Sequence, residues 1–523
     1  MRMMPVRKYN AKPMQVKRQA SDLKHFTAPL KGLSLSTALT PGDPLTAPIL
    51  SNWVLEEDKI TLRPGTFKVF TDVDGFAVET IVPFYGFPTA KVAATNGKPV
   101  HMTGLLLEDD FSSNDWSWTS FVNLGTQEYT LMANGSDGVW SWDGADACVK
   151  ETITFTGNAW FNQDHIQIVM THQNRVWFAD RDNLTVYYLP IQQKSGNVAQ
   201  LPVNQLFKRG GTIRAMYTWS IDGGAGMDDR LVIFSSNNEC AIYQGSDPDD
   251  PTGNFGLVGV YRFDSPMSKH SVVQYGGDLY VLISTGLVPM STMLRAESEM
   301  LGNSDQNVVT LFTELSTPYR DRNGWSVQLD YSTGRMICNL PQGAPNRYRQ
   351  MVRKMPTNFF VSWADIPARC WQWIDDQLFF GDDKGNIFEM NPRYLSDDLM
   401  PIHVDVQFAW SSFGTPALKQ FKLIRPYILT DGAPVPYVDI RCDYDTSRPF
   451  NQPDLAFTVD GAEWNLAPWD TSNWAAGVRA INQWNGVAGR GNVGAARIAA
   501  DLIGTQFSIS GVDVVYEGGS IMG

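Results

Sequence analysis

Short aromatic strands joined by polar turns recur through the middle of this 523-residue chain. The module reads at Asp137–Trp142 (DGVWSW), Asn174–Leu189 (NRVWFADRDNLTVYYL) and Arg230–Tyr243 (RLVIFSSNNECAIY). It returns at Gly277–Met290 (GDLYVLISTGLVPM), Trp325–Leu340 (WSVQLDYSTGRMICNL) and Asp376–Met390 (DQLFFGDDKGNIFEM). Successive copies stand about 40 to 55 residues apart, the period of one four-stranded propeller blade. The expected fold is therefore all-β: a β-propeller of about six blades, a scaffold with a central hole.

Turn clusters and composition divide the chain into four parts. Residues 1–27 are a basic, Pro-containing arm: Arg2, Arg7, Lys8, Lys12, Lys17, Arg18 and Lys24 stand against one acid, Asp22. With little apolar periodicity, the arm is expected to be extended and suited to an acidic partner surface. Residues 28–66, rich in Pro, Gly and Thr, should form a strap that runs over other elements. Residues 67–395 are the expected propeller, opening on a hairpin across FKVFTDVDGFAVETIV with its turn at Val73-Asp74-Gly75. Ser291–Leu301 (STMLRAESEML) is the best helix candidate, with Ser291 as N-cap. Residues 396–523 should form a second β region, a sandwich or a platform. Its strands alternate over 402–445, a Trp-rich loop follows, and ARIAADLIGTQFSISGVDVVYEGG reads as strand–turn–strand.

Charge and cysteines narrow the function classes. The net charge is −13, so general surface attraction to nucleic acid is not expected; an acidic channel would let DNA slide without sticking. Aromatics make up 12% of the chain, with 17 Trp, which suits wide sheet faces first and protein interfaces second. Cys148, Cys240, Cys338, Cys370 and Cys442 are scattered and form no CxxC pair, so neither a disulfide framework nor a zinc site is expected, and folding in a reducing cytoplasm is. No apolar leader and no membrane-length apolar window is apparent, so no membrane insertion by the chain itself is expected.

The familiar chemical motifs fail on context. Gly489-Arg490-Gly491-Asn492-Val493-Gly494 matches G-x-G-x-x-G, but a Trp/Asn-rich stretch precedes it and no βαβ unit surrounds it, so a flexible Gly loop is expected. Asp72-Val73-Asp74-Gly75 and Asp382-Asp383-Lys384-Gly385-Asn386 lack the full ligand set of a calcium loop and read as tight turns. The six histidines show no HExxH or HxH spacing; His165 and His172 read as loop or edge residues. There is no G-x-S-x-G elbow, no repeated sialidase Asp box and no WD40 signature. No catalytic, cofactor-binding or metal-binding residue is expected.

One stretch points to a particular job. Ala28-Pro29-Leu30-Lys31-Gly32-Leu33, Ile49-Leu50-Ser51-Asn52-Trp53 and Ile60-Thr61-Leu62-Arg63-Pro64-Gly65 resemble the opening pattern of tail hub or nozzle proteins of short-tailed bacteriophages, the packaged-DNA stabilisation type. Ser34 stands where that pattern commonly has Asn, and Leu55-Glu56-Glu57 replaces its usual Pro. The resemblance implies a non-enzymatic virion tail protein, assembled in the host cytoplasm. It further implies a homohexameric ring that continues the DNA channel below portal and adaptor, retains and releases the genome, and anchors tail fibres or spikes. The motif residues are Gly32, Asn52, Trp53, Arg63, Pro64 and Gly65. Read physically, Gly32 and Gly65 permit close backbone approach and Pro64 fixes an extended turn entry. Trp53 should pack the strap onto a sheet, and Arg63 is placed to pair with an acid such as Glu56 or Glu57. A glycan-cleaving propeller enzyme and a cellular interaction scaffold are the alternatives.

Overall fold

The computed structural model describes residues 21–519, apart from 36–41, 73, 87–89, 96–97, 103–106, 108–110, 146, 158–160, 223–226, 251–254, 294–306, 345–346 and 448–477. The β-propeller is present, and each of the six modules lies in its own blade. The module at 174–189, for example, supplies the middle strands of the antiparallel sheet Ile166–His172, Arg175–Asp180, Val186–Tyr188, Ala199–Leu201. A three-stranded sheet that no module announced, Val78–Phe84, Ala90–Thr95 and Lys98–His101, stands between the last module-bearing blade and the first.

Aromatic and β-branched residues dominate because each blade is buried on both faces. Trp177 and Val186 of one blade share a core with Leu231 and Ile233 of the next. The opposite faces of those last strands, Val232 and Phe234, pack with Val281 and Ile283 of the blade beyond. Consecutive residues thus serve consecutive inter-blade cores, as the two-residue side-chain period of a strand requires.

Ring closure departs from the expected hairpin. Six N-terminal strands matter here: β1 (Ser21–Thr27), β2 (Ile49–Ser51), β3 (Trp53–Leu55), β4 (Ile60–Leu62), β5 (Gly65–Thr71) and β6 (Val78–Phe84). β5 and β6 do not pair with each other. β5 is the outer strand of the last blade, antiparallel to Asn386–Asn391, while β6 opens the neighbouring sheet. Turn chemistry around Gly75, whose φ is +68°, serves a blade-to-blade crossing as well as a hairpin. A ring must be closed by pairing distant parts of the chain, and that need decides between them. β5 also spans the expected strap–propeller boundary.

The C-terminal region is two sheets on one core. Ile402–Gln407, Gly494–Leu502 and Tyr437–Cys442 continue the sheet of the blade at Ser326–Trp363, with β2 as the joining strand. Lys419–Thr430 and Phe507–Gly518 pair along their length and carry β4 and β1 beside them. Val404, Val406 and Ile498 of one sheet meet Ile424, Val512 and Val514 of the other in a shared core.

Three further expectations change. Of the arm, residues 1–20 lie outside the described residues, but Ser21–Thr27 is a regular strand on Phe507–Gly518, from Ser21 opposite Glu517 to Thr27 opposite Gly511. Of the expected helix at Ser291–Leu301, Met290–Met293 is helical and 294–306 lies outside the described residues. A helix at Val309–Tyr319 buries Phe312 against Phe360; its N-cap, Val308, makes no side-chain capping bond, so the usual start signal is missing. The Gly-rich 489–494 stretch is not a flexible loop: it ends the strand Asn485–Gly491, turns at Asn492-Val493 and starts Gly494–Leu502. A Cβ at Gly491 would lie 2.9 Å from Cys442 Cβ, so close sheet packing accounts for the glycine.

Candidate functional site

The strap motif becomes a buried joint between the propeller and the C-terminal sheets. β2 lies parallel to Phe360–Trp363 (Ser51 opposite Ser362) and antiparallel to Ile402–Gln407. β3 and β4 then cross to the other sheet, where β4 pairs with Phe507–Gly518. Some fourteen residues of strap therefore enter both sheets.

Asn52 is the corner. Its φ is +64°, a left-handed conformation that Asn tolerates better than most residues. Its Nδ2 donates to His403 O at 2.7 Å, and its Oδ1 accepts from Ala364 N at 2.8 Å and Arg63 Nε at 2.9 Å. Trp53 is fully buried; its Nε1 donates to Asp405 O at 3.0 Å, and its own carbonyl accepts from Trp363 Nε1 at 2.9 Å. Asp405 in turn holds Arg497 in a buried two-pronged pair at 3.0 and 2.7 Å.

Arg63 does not pair with Glu56 or Glu57. Its side chain has no solvent exposure and forks onto Asp397, with Nη1 to Oδ1 at 2.9 Å and Nη2 to Oδ2 at 2.5 Å. Nη1 also donates to Pro64 O at 2.9 Å. Glu56 faces Arg335 and Lys354 instead, at 3.7 and 4.0 Å. The reason is directional: the strap turns at Asn52 and again at Pro64, which carries Arg63 inward while Glu56 stays on the rim. Gly65 packs so close to the 394–396 segment that a Cβ there would lie 2.8 Å from Ser396 N and from Tyr394 O and closer still to Ser396 O. Gly32, with φ +77°, meets the carbonyl of Phe360 in the same way. Asn52, Trp53, Arg63, Pro64 and Gly65 thus form one cluster, and Gly32 stands at the far end of the strand Phe360–Trp363. The partners Asp397, His403 and Asp405 carry no local signal that would have singled them out.

A second site is one the sequence did not disclose. The axial end of the propeller encloses a cavity of about 500 Å³ lined by the innermost strands of several blades. Arg369 Nε meets Glu79 Oε2 at 2.7 Å and its Nη1 meets Asp383 Oδ1 at 2.8 Å. Asp115 is held by His270 Nε2 at 2.8 Å and Lys269 Nζ at 3.3 Å. Burial raises the Glu79 carboxyl above its ordinary range despite Arg369. Burial also opposes ionisation of Asp115, but the charges of Lys269 and His270 outweigh it and hold this carboxyl well below the usual range.

The histidines expected at edges or loops divide. His172 is buried, with Nδ1 3.0 Å from Thr218 Oγ1. His165 sits on a 3₁₀ turn and pairs with Asp182 at 2.8 Å. With Asp180 these two bring three ligand-type atoms within 4.8 Å of one another. The Asp382 carboxylate accepts from Lys384 N, Asn386 N and Asn386 Nδ2 at 2.7 to 2.8 Å, which is tight-turn chemistry. The five cysteines are all free. Among the described residues no helix is long and apolar enough to cross a membrane.

No protein-family model matches the chain, and no curated protein matches it. Among solved structures, the extracellular domain of a hybrid two-component system from B. thetaiotaomicron aligns over 65% of this chain at 10% identity and a TM-score of 0.41; the chain spans 45% of that structure's length. BBS1N, solved in complex with ARL6DN, aligns over 64% of this chain and 99% of its own at 11% identity and a TM-score of 0.40. YCF48 from Cyanidioschyzon merolae aligns over 63% of this chain and 99% of its own at 9% identity and a TM-score of 0.36. The propeller assignment rests on the strand pairing described above.

Proposed function

We propose that this chain is a structural subunit of the tail of a short-tailed bacteriophage. In this reading it forms a homohexameric hub or nozzle ring below the portal and adaptor. The ring continues the DNA channel, retains and releases the genome, and anchors tail fibres or spikes. The observation that carries the reading is the strap. The residues on which the resemblance rests are the ones buried at the propeller–C-terminal joint, where Asn52, Trp53, Arg63 and Gly65 each have a packing or hydrogen-bonding reason to be that residue. A subunit that lines a channel under internal pressure needs its parts held rigidly, and a joint made of shared sheet strands supplies that. The net charge of −13 suits a lumen that DNA must traverse without adhering. Because the motif residues are buried within the chain, contacts between subunits in this reading fall to other, exposed residues.

Sedimentation and electron microscopy of the purified chain and of virions test the proposal. A ring of six copies is expected; a stable monomer absent from particles would overturn it.

The axial carboxylates favour a second reading. Glu79 and Asp115 line one cavity with opposite protonation tendencies, as an acid–base pair for glycan cleavage would. Both are committed to ion pairs, which argues for a structural role. Release of reducing sugar from host capsule or lipopolysaccharide, lost in Glu79→Gln, would establish the enzyme; no release would dismiss it.

A further inference from the structure

The wall of the axial cavity carries more positive charge than it neutralises. Arg214, Lys269, Arg320, Arg322 and Arg369 line it, against the acids Glu79, Asp115 and Asp321. Glu79 and, from beyond the wall, Asp383 are taken by Arg369, and Asp115 by Lys269 and His270. Among the described residues, no carboxylate lies within ion-pair distance of Arg214, Arg320 or Arg322.

Two of these arginines use part of their donor set on backbone. Arg214 donates to Pro266 O at 3.3 Å and to Met267 O, and Arg322 donates to Gly343 O and Ala344 O at 3.1 and 3.2 Å. Backbone carbonyls orient a guanidinium without cancelling its charge. Among the described residues, no such bond is made by Arg320, at the C-terminal end of the Val309–Tyr319 helix. It stands close enough to Arg214 for the two charges to disfavour each other, while Asp321 and Asp115 act on Arg214 in the opposite sense.

The excess continues outward. Arg320 also borders an adjoining open hollow of about 480 Å³ with Arg209, Ser236, Asn237 and Asn238. Arg209, likewise, has no ion pair among the described residues. Arg209, Arg320 and Arg214 therefore form a line of arginines across the two adjoining hollows, with Arg320 bordering both. This line sits in a chain whose net charge is −13, where ample acidic residues could have been placed opposite them. The dipole of one helix C-terminus and the lone Asp321 offset only part of the charge.

We propose that this arginine line is a binding site for a small, multiply charged oxyanion, a phosphate-bearing small molecule. Planar guanidinium forks match the oxygens of phosphate two at a time, and an enclosed low-dielectric wall strengthens such bonds. A cavity near 500 Å³ lies in the range of small-molecule sites, about 300–1,000 Å³. That size selects a free small molecule over a duplex. The proposal is independent of the tail-hub reading.

Isothermal titration of the full chain with pyrophosphate at low salt tests it. Saturable one-to-one binding that weakens with added salt is expected. Arg320→Ala should weaken it about tenfold or more, because a charge-assisted bond is lost. Asp321→Asn should tighten it about two- to fivefold, a gain that misfolding cannot imitate. Arg393→Ala, an arginine on the 391–394 turn and not on the cavity wall, should leave it unchanged. Absence of saturable heat up to about 1 mM pyrophosphate, or equal affinity in Arg320→Ala and the unmodified chain, would overturn the proposal. So would displacement of pyrophosphate by a short DNA duplex, which would assign the arginines to nucleic acid.

Discussion

Replacing Arg63 tests the joint at its most committed point. Arg63→Ala removes a fully buried guanidinium, strips its bonds from Pro64 O and the Asp397 carboxylate, and leaves Asn52 Oδ1 with Ala364 N alone. Breaking a buried pair from one side costs about 3–5 kcal/mol. The Asp397 side chain keeps 20% exposure, so water relieves part of that and the lower half of the range is expected. A chain of 523 residues that unfolds as one unit has an unfolding entropy of about 1.1 kcal/mol/K, so a loss of about 4 kcal/mol lowers Tm by only about 3–4 °C. Calorimetry resolves that shift. Hydrogen exchange localises it, because the amides of Ile49–Leu62 should lose protection before those of the distant blades. Arg63→Lys should not restore stability, since an ammonium cannot bridge Asn52 and both Asp397 oxygens. In a double-mutant cycle with Asp397→Asn, the two losses should be less than additive by at least about 1 kcal/mol. A Tm change below about 1 °C, or strict additivity of the two substitutions, would refute the reasoning that the strap is clamped through this pair.

Three further outcomes are expected. Gly65→Ala should destabilise by about 3 kcal/mol or more, because its Cβ would strike the backbone of Ser396, whereas Gly256→Ala, with open space around it, should be neutral in a melting assay. Trp53→Phe should cost about 1 kcal/mol for the lost bond to Asp405 O, and Trp53→Ala about 3–5 kcal/mol for the emptied core, read by chemical denaturation. Burial holds the His172 imidazole down to about 4, with the Asp229 charge opposing. The unfolded chain therefore takes up this proton first, and stability should fall as pH drops from about 6.5 to about 4, by up to about 3 kcal/mol. His172→Gln should flatten that part of the pH–stability curve, and an unchanged curve would count against a buried neutral histidine.

The parts of the fold legible in the sequence were those encoded locally. Each module carries its own strand periodicity and turn residues, so Asn174–Leu189 or Arg230–Tyr243 announces a hairpin without reference to the rest of the chain. Gly494–Leu502 and Phe507–Gly518 were legible as strands in the same way, but they join different sheets and do not pair with each other. The special standing of Asn52, Trp53, Arg63 and Gly65 came from the resemblance of the strap motif. Tertiary structure alone decided the partners. β5 could have paired with β6 seven residues on, yet it pairs with Asn386–Asn391, because closing a ring buries an edge that a local hairpin would leave open. Glu56 and Glu57 were the near acids for Arg63, but Asp397, 334 residues away, receives it. Glu79 with Arg369, and Asp115 with Lys269, are likewise separated by 290 and 154 residues. An ion pair has no periodicity and leaves no mark on its neighbours in sequence. Only the packing of the blades brings such charges together, and only there does it become visible that, among the described residues, Arg209, Arg214 and Arg320 have no carboxylate at ion-pair distance.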